Sequence, residues 1–174
     1  IGVTIPEKPG SFKKFCSIIA KKSITEFNYR YADQKKAHVF VGIKLNNGIR
    51  DKNQILSTLK TNKYRVIDLT DNEVAKLHIR YMVGGVSSGA SNEKIFRFIF
   101  PEKPGELLNF LNAIGSRWNI SLFHYRNHGS DFGRVLMGIQ SNPDAVGKLK
   151  AHLNTLNYEF FEETSNKAYE LFLS

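Results

Sequence analysis

The chain has 174 residues, 41% of them hydrophobic and 24% charged, the composition of one globular domain or two small ones. No run approaches the ~20 apolar residues of a membrane-spanning helix, and a single cysteine excludes an internal disulfide framework and any multi-cysteine zinc site. The net charge of +9 sits in one half: residues 1–90 hold 16 Lys and Arg against 7 Asp and Glu, and residues 91–174 hold 9 against 9. The cations come as scattered pairs, Lys13-Lys14, Lys21-Lys22 and Lys35-Lys36, which suit solvated faces as well as a nucleic-acid surface. The chain starts at Ile1 with no signal-peptide pattern, and the expectation is a piece of a longer protein from a reducing compartment.

In chain order, residues 1–5 are apolar-rich and stop at Pro6, as a strand does. Pro9-Gly10 then launches a helix whose Phe12, Phe15, Cys16 and Ile19 fall at i, i+3, i+4 and i+7, one apolar stripe. Residues 24–31 read as a strand, and residues 37–45, almost wholly apolar, as a central one. Helical spacing returns at Ile55-Leu56-Leu59, and residues 64–69 form a last strand. Thr70 and Glu73 fit a Ser/Thr-x-x-Glu capping box opening a short helix through Leu77. The segment Gly84-Gly85-Val86-Ser87-Ser88-Gly89-Ala90-Ser91-Asn92 is Gly/Ser-rich, a flexible linker.

The order then recurs. Residues 95–100 end at Pro101, and Pro104-Gly105 opens a helix with Leu107, Phe110, Leu111 and Ile114 at the same spacing. Residues 120–126 and 134–140 read as strands, Val146, Leu149 and Leu153 as a helix, and residues 158–161 as a last strand. Ile5-Pro6-Glu7-Lys8-Pro9-Gly10 answers Phe100-Pro101-Glu102-Lys103-Pro104-Gly105 at an offset of 95, and Phe27-Asn28-Tyr29-Arg30 answers Phe123-His124-Tyr125-Arg126 at 96. Asn62-Lys63-Tyr64 answers Leu156-Asn157-Tyr158 at 94, as Asn72 answers Asn166. This is an internal duplication.

Strand–helix–strand–strand–helix–strand, twice, is an α+β chain of two tandem ferredoxin-like βαββαβ subdomains with antiparallel sheets. They are expected at residues 1–83 and 95–174, with a linker at 84–94. Each sheet would carry helices on one face, and the two units could bury their bare sides against one another with pseudo-twofold symmetry.

Enzymatic chemistry has little support. His38, His78, His124, His128 and His152 fall in no metal-ligand spacing, and Cys16 stands where the other repeat has Leu111, as a small core hydrophobe does. Gly129-Ser130-Asp131-Phe132-Gly133 reads as a hairpin turn rather than a phosphate loop. RNA-recognition motifs share the strand order, but the third strands Val39-Phe40-Val41-Gly42-Ile43 and Val135-Leu136-Met137-Gly138-Ile139 lack the aromatic stacking platform. Small-ligand binding remains. The turns before Gly10-Ser11 and Gly105-Glu106 end at helix N-termini, where free amides suit a carboxylate, or they are simply efficient strand-to-helix turns.

The stretches Leu77-His78-Ile79-Arg80-Tyr81-Met82-Val83-Gly84-Gly85 and Trp118-Asn119-Ile120-Ser121-Leu122-Phe123-His124-Tyr125-Arg126 resemble the C-terminal regulatory region of the biosynthetic threonine deaminase (threonine dehydratase) family. The resemblance spans the chain and implies two ACT-like subdomains. It implies further that isoleucine inhibits the parent enzyme through this region and that valine opposes it. The parent would convert threonine to 2-oxobutanoate with pyridoxal phosphate in a catalytic domain absent here, leaving this chain without catalysis or cofactor. By motif, the resemblance points to Tyr29, Tyr125 and Arg126 as effector-site residues and to Arg80 and Arg30 as coupling residues. Tyr125 and Arg126 alternate on a strand, so they face opposite sides unless a bulge intervenes. The implied partners are L-isoleucine, L-valine, the catalytic domain and further copies in a tetramer, with no nucleic acid and no membrane. The implied location is bacterial cytoplasm or plastid stroma. A purely structural, oligomer-holding module is the alternative, and a basic RNA-binding pair a more distant one.

Overall fold

Both Pro-Gly turns do the same job. Gly10 (φ 82°) and Gly105 (φ 84°) adopt the left-handed conformation that glycine enters without steric cost, turning the chain from a strand into a helix. A computed structural model describes residues 1–20, 22–31, 34–82, 84–85, 87–103, 105–127, 129 and 131–173. Lys21, Val83, Val86, Pro104, His128 and Ser130, among the sequence features above, lie outside them.

The first unit runs β1 (Gly2–Pro6), α1 (Ser11–Ile19), β2 (Ser23–Arg30), β3 (Lys36–Lys44), α2 (Ile49–Thr61) and β4 (Arg65–Ile67). A short α3 (Glu73–Leu77) and a 3₁₀ turn (Ile79–Tyr81) follow. The second runs β5 (Glu93–Pro101), α4 (Glu106–Ile114), β6 (Asn119–Arg126), β7 (Phe132–Gln140), α5 (Val146–Thr155), β8 (Glu159–Glu162) and α6 (Lys167–Phe172), with a 3₁₀ turn at Pro143–Ala145. Strand β5 begins at Glu93, within the segment read as linker.

The two units do not form two facing sheets. Their strands join into one antiparallel sheet ordered β4-β1-β3-β2-β6-β7-β5-β8, with β2 and β6 paired at the centre. Glu26 stands opposite Arg126, Asn28 opposite His124 and Arg30 opposite Leu122, so the pseudo-twofold passes near Asn28 and His124. Edge-to-edge joining wins because each unit alone would leave a row of unpaired amides and carbonyls on its second strand.

Helices α1, α2, α4 and α5 cover one face. Phe12, Phe15 and Ile19 of α1 and Phe110, Leu111 and Ile114 of α4 meet Phe27, Val39, Phe98, Phe123 and Met137 in one continuous core. Aromatic rings interlock across the seam: Phe12 lies 4.7 Å from Phe123 and 5.6 Å from Tyr29, centroid to centroid. Each buried phenylalanine contributes about 1.5–3 kcal/mol. Cys16 belongs to this core, and burial pushes its thiol well above the ordinary range.

The opposite face is partly covered by α3, its 3₁₀ turn and α6. Thr70 is not the cap of α3: its hydroxyl and amide turn back to Asp68. Asn72 caps instead, its side chain accepting from Ala75 N at 2.9 Å, and Asn166 caps α6 through Ala168 N at 2.9 Å. Their sequence equivalence is therefore a shared cap.

Candidate functional site

Helices α1 and α4 pack side by side across the seam, and an equivalent hollow lies at each end of the pair. One is a cavity of about 150 Å³. The first unit contributes Cys16, Ile19, Ser23 and Phe27 to its wall, and the second contributes Glu102, Gly105, Leu107 and Tyr125. The other hollow, about 10 Å³, lies between Gly10, Ser11 and Phe12 on one side and Trp118 and Asn119 on the other.

The same pair of side chains anchors each. Tyr29 Oη lies 2.5 Å from Glu7 Oε2 and 2.9 Å from the Ile120 carbonyl oxygen. Tyr125 Oη donates to Glu102 Oε1 at 2.5 Å. Burial, then the adjacent carboxylate, pushes both phenols well above their ordinary range, so they remain donors at any physiological pH. The carboxylates fare differently. Glu7 Oε1 accepts a further bond from Asn119 Nδ2 at 3.2 Å, and burial still raises its carboxyl above the usual range. Glu102 Oε2 is buried without a partner among the described residues.

An open cavity with aliphatic walls, a carboxylate oxygen in want of a donor and a helix N-terminus suits a small zwitterion. At the start of α4, Glu106 N is bound to Lys103 O and Asn109 N to Gly105 O. The intervening amides belong to Leu107 and Leu108, both of which line the cavity. Glu106 turns its carboxylate away, to Tyr158 Oη at 2.9 Å, so it does not oppose an incoming anion.

Of the residues singled out from sequence, Tyr125 and Gly105 line the open cavity, and Gly10 and Ser11 line the small one. Tyr29 spends its hydroxyl inside the seam. Arg126 is elsewhere. The only irregularities in β2 and β6 are at Ile24/Glu26 and Ile120/Leu122, so Tyr125 and Arg126 alternate and the arginine faces the other side of the sheet. There its guanidinium lies 4.6 Å from the centre of the Tyr81 ring. Arg80 flanks the same ring at 5.5 Å and pairs with buried Glu26 at 2.9 Å. Arg30, the pseudo-symmetric mate of Arg126, is clamped by Glu93, by the Leu173 carbonyl at 2.6 Å and by the Gly85 carbonyl at 3.0 Å. The tyrosines and arginines singled out from sequence thus divide into two tyrosines on the helix-covered face and three arginines on the opposite one.

Glu7 and Glu102 carried no role in the sequence reading, although both lie in the strongest repeated block, and a charged residue repeated before a buried tyrosine was the available signal. Trp118 and Asn119, which close the small hollow, stand where the first unit has Lys22 and Ser23, a change of side chain that spacing does not flag. Among the described residues no cluster of His, Cys, Asp or Glu is placed to hold a metal, and no helix is long and apolar enough to cross a membrane.

The fold and its seam are those of a paired ACT-like module. A chain in the crystal structure of aspartate kinase from Synechocystis superposes on 92% of this chain and 28% of its own length, with a TM-score of 0.55 and 13% identity, a likeness of fold alone. Residues 1–79 and 84–173 match the family described as the C-terminal regulatory domain of threonine dehydratase, and the chain belongs to that family. Biosynthetic L-threonine dehydratase of Escherichia coli is 50% identical over the whole chain, which covers 34% of that protein. The mitochondrial threonine dehydratase of Saccharomyces cerevisiae is 40% identical over 98% of the chain, which covers 31% of it. The chain therefore spans about a third of the length of these relatives and corresponds to their regulatory C-terminal part.

Proposed function

We propose that the cavity beside Tyr125 is the effector site of this regulatory domain and that its ligand is L-isoleucine, opposed by L-valine. Through it the chain would govern a pyridoxal-phosphate-dependent catalytic part that deaminates threonine to 2-oxobutanoate. The observation that carries the reading is the Glu102 carboxylate, one oxygen of which has no partner among the described residues, on the wall of a cavity that Cys16, Ile19, Phe27 and Leu107 also line. The carboxylate receives the ligand's ammonium, the first amides of α4 receive its carboxylate, and the aliphatic wall receives its side chain. Isoleucine exceeds valine by one methylene, worth about 1–3 kcal/mol in such a pocket.

Because the wall draws on both units, a bound ligand favours one setting of the seam over another, which is the differential affinity that allosteric control requires. The signal has a short way to go: Tyr125 looks into the cavity, and the next residue, Arg126, rests on Tyr81 beside Arg80.

Titration calorimetry of the chain with L-isoleucine tests this. Saturable binding is expected, and Ser23→Asn, which sets an amide where the twin hollow has Asn119, should occupy Glu102 and weaken binding about tenfold. Absence of heat with folded protein would sink the reading. An oligomer-holding role draws on a different observation, the exposed Val74, Leu77 and Met82 around α3, and predicts no effector binding at all.

A further inference from the structure

The first unit's surplus of positive charge is not spread evenly. At the outer end of its sheet, a groove of about 760 Å³ runs between the start of α1 and the turn from α2 into β4. Lys8, Lys14, Lys35, Lys36, Lys63 and Arg65 line it, His38 stands among them, and no described carboxylate does. The strand register explains the convergence. Thr4 is opposite both His38 and Arg65, and Pro6 is opposite Lys36, so β3 and β4 deliver cations to one spot from either side of β1. Glu7, next to Lys8 in sequence, has turned inward to Tyr29 and Asn119. The floor is different: Ile5, Pro6 and the half-buried ring of Tyr64, whose other side meets Phe15 at 5.8 Å.

The duplication supplies an internal control. Glu7 N bonds to Lys35 O as Glu102 N bonds to Asp131 O, and Arg65 pairs with Thr4 as Glu159 pairs with Ile99, so the positions correspond in space. Where the first unit has Lys14, Lys35, Lys36, Lys63 and Arg65, the second has Asn109, Asp131, Phe132, Asn157 and Glu159. The fold therefore does not need these cations. Mutual repulsion among Lys14, Lys63 and Arg65 costs stability unless an anion joins them.

We propose that this groove binds a small phosphorylated metabolite with a flat or apolar portion, chemically a nucleoside polyphosphate. Lys8, Lys14, Lys63 and Arg65 alone exceed what one carboxylate can use, and lysine and arginine clusters suit the several oxygens of a phosphate chain. A bounded concave volume of this size, with an apolar floor for a base, suits a small molecule better than a polymer, whose footprint would be an open stripe. The site is separate from the cavity beside Tyr125 and stands whether or not that cavity binds isoleucine.

The test is titration of the chain with ATP and, separately, with inorganic triphosphate, each at low and at physiological ionic strength. ATP should saturate a single site, with triphosphate weaker by whatever the floor contributes and both weakened by salt. Equal affinity of the two would overturn the nucleoside assignment, since the apolar floor would then contribute nothing. Lys63→Gln combined with Arg65→Gln should weaken ATP about a hundredfold, or about tenfold per cation removed. Lys14→Gln, on the helix side, should weaken it about tenfold. Arg134→Gln, the counterpart of His38, should leave it unchanged. Circular dichroism of each variant separates lost binding from lost folding. No saturation with either probe, or binding that survives the double substitution, overturns the proposal. So does single-stranded DNA binding more tightly than ATP and equally sensitive to Arg134→Gln, which would mean a diffuse polymer surface.

Discussion

The two hollows beneath the seam began as copies and now differ fifteenfold in volume, about 150 Å³ against about 10 Å³. Backbone does not account for this, since both have the Pro-Gly turn, the left-handed glycine and the Tyr–Glu pair. Side chains do. Trp118 and Asn119 stand where the other copy has Lys22 and Ser23, and Phe12 stands where it has Leu107. The tryptophan is nearly buried against His152, with centroids 5.0 Å apart, whereas a lysine keeps its charged end in water and leaves the space beneath. The asparagine satisfies the glutamate that the serine leaves short. Duplication thus produced one filled, self-satisfied site and one open, unsatisfied one on the same scaffold.

The largest expected effect comes from emptying the filled site. Trp118→Ala should cost about 3–5 kcal/mol in urea denaturation, and isoleucine titration of the surviving fold should then show a second binding event. A destabilised variant with an unchanged binding curve would break the account of what closes the hollow.

Next come the tyrosines. Tyr125→Phe leaves Glu102 with neither oxygen satisfied, at a cost of about 1–3 kcal/mol. Tyr29→Phe should cost less, because Glu7 keeps its bond from Asn119. Thermal unfolding of the two variants side by side would show the order, and a larger loss at Tyr29 would contradict the asymmetry.

The short helices should behave alike. Asn72→Ala and Asn166→Ala remove equivalent caps, and each should cost about 1 kcal/mol in denaturant titration. A cap worth nothing in one unit would mean that its helix is held by packing alone.

Smallest is the acid response. Hydrogen bonds from Thr70, then the bond to Lys52 at 3.0 Å, hold the Asp68 carboxyl at about 2, below its ordinary 3.8. Glu162 is held below its ordinary 4.5 by Lys150 at 2.6 Å in the corresponding place. A lowered carboxyl contributes stability that is complete above the ordinary value and lost as pH falls toward the folded one. Stability should therefore decline from about pH 4 toward pH 2, and Asp68→Asn should flatten part of that decline in acid-titration circular dichroism.

Much of the fold was legible because it depends on periodicity. The stripes Phe12, Phe15, Cys16, Ile19 and Leu107, Phe110, Leu111, Ile114 both lie against the core, apart from a half-exposed Leu107, and the pairing of Cys16 with Leu111 identified a packing cysteine. The joining of the sheets was not legible. Backbone groups of β2 and β6 make that joint, and no side-chain pattern announces which edge an edge strand will choose. The cap of α3 was misassigned because Thr70 and Asn72 are both good caps, and the choice went to the residue whose rival was already bound to Asp68. At the site, alternation alone separated Tyr125 from Arg126. The size of the cavity depended on how one tryptophan and one lysine pack, which spacing does not encode.

The seam between β2 and β6 has a consequence for how such a molecule can change over generations. Its bonds are between main-chain amides and carbonyls, which every residue but proline can supply. The strand pairing itself is thus indifferent to most substitutions, and the chambers above it are free to drift apart. A joint written in backbone lets one copy retire into architecture while the other keeps its vacancy. Dividing the chain at residues 84–92 would not yield two half-sized sensors. It would yield two raw strand edges, each seeking the partner it lost.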